Sequence, residues 1–79
     1  MKKMRLTQMK ENKKARIIEI VAGVLLRHKF MSMGIYEGRE ITKVSHFGLR
    51  GPVAIKVGRS VIALGYGMAQ KIIVEIGHD

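Results

Sequence analysis

The chain has 79 residues, a formal net charge of +9, four aromatic side chains and no cysteine. That length holds one domain and buries only about 60–65% of the surface exposed by the unfolded chain, so the core must be compact. The missing cysteines exclude disulfides, thiolate metal sites and cysteine nucleophiles. Seven of the basic residues fall within residues 1–16, where Glu11 is the one acidic group. A basic end of this kind suits nucleic acid, anionic lipid or an acidic protein surface.

Residues 1–5 read as a basic tail in front of a single domain over 6–77. Thr7 in "LTQMKEN" is a candidate N-cap for one helical turn. "KKARIIEIV" is short and β-branched, which predicts a strand. Ile17, Ile18 and Ile20 do not share one face of a flat strand, so this strand is expected to curl. The apolar run "IVAGVLL" is far shorter than the roughly 20 residues of a membrane span. The N-terminus also lacks the apolar stretch of a secretory signal. The chain is therefore expected to be cytoplasmic.

Gly23 opens a helical pattern in which Leu26, Phe30 and Met33 form one stripe. Gly34 is placed to end the helix in a left-handed conformation, with Ile35 packing back on the last turn. Gly38 marks a turn into "REITKVSH", a strand. Ile41 and Val44 are three apart, and a β-bulge between them would turn both inward. "PVAIKVGRSVIAL" predicts a hairpin with Gly58-Arg59 in a type II′ turn. That register pairs Val57 with Ser60, Ile55 with Ile62 and Val53 with Leu64 on the buried face. Lys56–Val61 and Ala54–Ala63 then form the outer face. "GYGMAQ" suits a short helical turn. "KIIVEI" is a final strand with Ile72, Val74 and Ile76 on one face, and residues 77–79 are expected to fray. The sum is mainly β: a small, partly open five-stranded barrel with one short α-helix between strands 1 and 2.

"LTQMKENKKARIIEI", "HKFMSMGIYEGREITKV", "GPVAIKVGRSVIAL" and "AQKIIVE", in this order, resemble the FeoA family of ferrous iron transport protein A. The resemblance spans about residues 6 to 76. It implies an SH3-like fold and no catalytic activity. It also implies a role in supporting an FeoB-like membrane iron transporter from its cytoplasmic side. A similar domain closes iron-dependent repressors of the diphtheria-toxin-repressor type. Asn12 stands where the family often has glycine, and asparagine tolerates the left-handed backbone needed there. Arg50 stands near the family's acidic loop residue.

No catalytic constellation is present. Ser32, Ser45 and Ser60 lack a nucleophile-elbow motif, and the glycines around Lys56 lack phosphate-loop spacing. His28, His46 and His78 lie far apart in sequence. Met31, Met33 and Met68 are soft donors, poorly matched to Fe(II). No cofactor and no intrinsic metal site are expected. What remains is binding. The residues left off the core, Met31, Phe47, Leu49, Arg50 and Tyr66, are the candidate partner-binding set. The alternative is an SH3-like RNA- or ribosome-binding module that uses the basic N-terminus.

Overall fold

In the computed structural model, which describes residues 2–77, a single antiparallel sheet carries the fold. Its strands are β1 (Lys2–Arg5), β2 (Lys13–Ile20), β3 (Glu40–His46), β4 (Val53–Val57), β5 (Ser60–Leu64) and β6 (Ile72–Ile76). They lie in the order β1-β6-β2-β3-β4-β5. A 3-10 turn (Leu6–Gln8) follows β1, helix α1 (Val24–Ser32) links β2 to β3, and helix α2 (Tyr66–Ala69) links β5 to β6.

Six strands replace the expected five. Among the described residues β1 and β5 do not pair, so the sheet does not close. Residues 2–5, expected as a solvated tail, form β1 and pair with β6, from Lys2 opposite Ile76 to Arg5 opposite Ile73. Met4 lies opposite the buried Val74 and packs on the core, while Lys2, Lys3 and Arg5 stay exposed. The single helix expected between the first two strands therefore lies between β2 and β3, and α2 is a second short one.

Aliphatic side chains fill the interior, with Phe30 as the one fully buried aromatic. The helix stripe is as expected: Phe30 is buried, and Leu26 and Met33 pack against the core. Gly34 has φ +82°, and the Ile35 amide donates to the Phe30 carbonyl at 2.9 Å. This closure carries Ile35 into the core. Arg27 ties the helix to β2, donating to the Ile20 carbonyl at 2.6 Å and pairing with Glu37 at 3.3 Å.

The β4–β5 hairpin has the expected register at all five pairs. Gly58 has φ +61° and Arg59 a negative φ, which is the sign pattern of a II′ turn. Val53, Ile55 and Leu64 face the core. In β2 the register shifts between Ile17 and Glu19, which turns both Ile17 and Ile20 inward. A bulge, rather than smooth curling, resolves the three isoleucines.

Two local expectations are corrected. Arg5, not Thr7, caps the 3-10 turn: its amide donates to Gln8 Oε1 at 2.9 Å. The expected bulge in β3 exists, at the register shift between Lys43 and Ser45. It leaves Val44 exposed, and Lys43 is the residue carried inside. Asn12 has φ +62°, the left-handed conformation expected of it. Of the expected frayed end, His78 and Asp79 lie outside the described residues.

Candidate docking site at the β3–β4 loop

Residues 47–52 connect β3 to β4 by a loop that closes on itself. The Phe47 amide donates to the Pro52 carbonyl at 3.1 Å. Gly48 has φ +66°, where a side chain would be strained. Gly51 passes so close to Phe47 that an added Cβ would overlap the Phe47 carbonyl oxygen. Both glycines therefore serve the loop's shape. On this loop Phe47 is 62% exposed and Leu49 91% exposed, with Arg50 beside them.

The root of the loop is held by a charged group inside the protein. Lys43 is only 1% exposed. Its ammonium donates to the carbonyl oxygens of Met9 at 2.7 Å, Leu6 at 3.2 Å and Thr7 at 3.3 Å. These carbonyls belong to the 3-10 turn and the residue after it. The Leu6 carbonyl also accepts from the Met9 amide at 3.3 Å, and the ends of such a turn leave further acceptors to be satisfied from elsewhere. A flexible stem and a compact charge with three donors suit that cluster. Burial lowers the Lys43 pKa from its ordinary 10.5, and attraction to Glu11 partly offsets this.

His46 completes the brace. Its Nδ1 lies 3.2 Å from the Lys43 ammonium. Three ammonium protons thus face four acceptors, so the contact with Nδ1 is shared with the carbonyls, and the cation favours a lone pair at Nδ1. The imidazole Nε2 is buried and has no partner among the described residues. The His46 amide donates to Glu11 Oε2 at 2.7 Å. The Tyr66 ring lies tilted over the imidazole, with centroids 6.1 Å apart.

Four of the five candidate residues are thus gathered. Phe47, Leu49 and Arg50 share the loop, and half-buried Tyr66 borders it through His46. Met31 is 61% exposed but belongs elsewhere. Its helix ends at Gly34 beside Val57, at the far end of β4 from Val53 and the loop. Lys43 and His46 were missed as parts of the site. Only Lys43 carries a local signal: it is two residues from Ile41, so strand alternation turns it inward, whereas His46 lies beyond the bulge.

Among the described residues no group of three His, Asp or Glu side chains is close enough to hold a metal ion. Nor is any helix there long and apolar enough to cross a membrane.

The FeoA domain model matches residues 4–76. A crystal structure of an iron uptake regulatory protein (FeoA) superposes with a TM-score of 0.84 at 29% identity, covering 95% of this chain and 97% of that one. The FeoA-like protein from Clostridium acetobutylicum superposes with a TM-score of 0.84 at 28% identity, covering 100% and 92%. A manganese-dependent transcriptional repressor shares the fold, with a TM-score of 0.85 at 19% identity, over 94% of this chain and 41% of its own. No functionally curated protein matches the chain. The family model spans both the basic-edged sheet and the braced loop, and the chain belongs to the FeoA domain family.

Proposed function

We propose that the chain is a non-catalytic accessory protein of ferrous iron uptake, acting by docking on the cytoplasmic part of an FeoB-like membrane transporter. Family membership supports the iron-transport role. A structural relative described as iron(II) transport protein A, from Clostridium thermocellum, supports it too, at 32% identity over 92% of this chain and 45% of that one. The observation that carries the docking role is the exposure of Phe47 and Leu49 together on the β3–β4 loop, beside Arg50. Burying these two apolar side chains against a partner removes apolar surface from water, which favours association. Arg50 adds a charge at the rim, which favours an acidic partner surface.

Docking alters transport only if the chain binds two transporter states with different affinity. The protein would work in the cytoplasm, and GTP chemistry would belong to the transporter. The basic strands β1 and β2 support a second reading, an RNA-binding module. A pull-down from cells grown with and without iron separates the two. Recovery of a polytopic membrane transporter, lost with Leu49→Ser, supports docking. Recovery of ribosomal particles or RNA, released by high salt, overturns it.

A further inference from the structure

The open sheet has two edges, and they differ in chemistry. β1 carries Lys2, Lys3 and Arg5, all exposed. Charged side chains on an edge strand block pairing with another molecule. β5, at the other end of the sheet, reads Ser60-Val61-Ile62-Ala63-Leu64 and has neither a charge nor a proline. Nor does its pairing with β4 contain a bulge.

The backbone of β5 is free in a defined way. In a hairpin with a two-residue turn, Val57 and Ser60 form a hydrogen-bonded pair. The pattern alternates, so Ser60, Ile62 and Leu64 direct their amide and carbonyl groups to β4. Val61 and Ala63 direct theirs outward. Among the described residues neither has a hydrogen-bond partner on that side. Val61 is 65% exposed and Ala63 is exposed. Ile62 lies opposite the fully buried Ile55, yet it is only partly buried because no strand lies beyond it.

We propose that β5 is a dimerisation edge, at which a second copy of the chain adds its own β5 antiparallel about a two-fold axis at Ile62. In this register Val61 pairs with Ala63 of the copy, and Ala63 with its Val61. The two outward amides and two outward carbonyls of each strand are all used. Ile62 meets the same residue across the axis and gains the cover it lacks. No like charges face each other across the paired strands: β5 has none, and the basic edge strand β1 lies at the opposite end of the sheet. With a net charge of +9 per chain, this is the edge at which two copies meet with the least repulsion. An isologous contact of this kind closes at two subunits instead of growing into a fibre.

Sedimentation equilibrium on the full chain tests the proposal. The wild type should show a reversible species of twice 8.9 kDa. Ala63→Pro removes an outward amide that makes no bond within the monomer, so the fold tolerates it on an edge strand. It should weaken the dimer by about tenfold or more. Val61→Lys with Ala63→Lys gives a second route if the proline variant misfolds. It sets lysines directly opposite each other in the dimer, so association should fall at low salt and recover at high salt. A monomeric wild type at all concentrations overturns the proposal and leaves the edge to a strand of another protein. So does a dimer unaffected by the double lysine variant.

Discussion

Replacing Lys43 by methionine tests the brace beneath the loop. Methionine preserves the length and much of the volume of the stem but removes every donor. The Leu6, Thr7 and Met9 carbonyls and His46 Nδ1 then lose their shared partner. Two effects oppose each other. Removing a buried charge recovers a desolvation cost, whereas stranding its acceptors costs about 1–3 kcal/mol for each one kept from water. With several acceptors gathered on one ammonium, the loss should prevail, and Lys43→Met should destabilise the fold by about 2–4 kcal/mol. Urea unfolding followed by far-UV circular dichroism measures this. The pH dependence adds a second check. Burial lowers the Lys43 pKa from 10.5 more than Glu11 raises it. The unfolded chain therefore keeps this proton to higher pH than the folded one. Between the lowered pKa and 10.5, wild-type stability should rise with pH, and its lead over Lys43→Met should widen. A variant as stable as the wild type, or a lead that shrinks across that window, would refute the reasoning.

Gly51→Ala should disturb the loop through its overlap with Phe47, costing about 1–3 kcal/mol in thermal or urea unfolding and weakening partner recovery. Gly34→Ala should cost about 1–2 kcal/mol from left-handed strain at φ +82°, since the nearest atom, Val57 Cγ1, is at a tolerable 3.4 Å. Leu49→Ser should leave stability within about 0.5 kcal/mol of wild type, because the side chain touches little, while abolishing transporter recovery. Arg27→Ala should cost about 1 kcal/mol by freeing the Ile20 carbonyl, read by the same unfolding assay.

The sequence reveals what local chemistry decides. Gly58-Arg59 fixes the β4–β5 register, because a slip by one residue would turn Val53, Ile55 and Leu64 to solvent. Gly34 marks the helix end for the same kind of reason. What escapes is decided by partners distant in the chain. Lys2–Arg5 contains one apolar residue, and its strand character comes from β6, at the other end of the chain. Alternation from Ile41 places Lys43 on the inward face, but the carbonyls that accept from its ammonium lie 34 to 37 positions upstream and are not legible locally. The loop candidates Phe47, Leu49 and Arg50 were legible as a group because they adjoin in the chain. Met31 was not separable from them without knowing which end of β4 its helix reaches.

Equilibrium binding of the purified chain to an FeoB-like transporter in lipid nanodiscs, by titration calorimetry, tests the docking role most directly. The account predicts saturable binding that Leu49→Ser and Phe47→Ser each abolish, while Met31→Ser leaves it intact. Binding that survives both loop substitutions, or no binding by the wild type in any nucleotide state of the transporter, would contradict it.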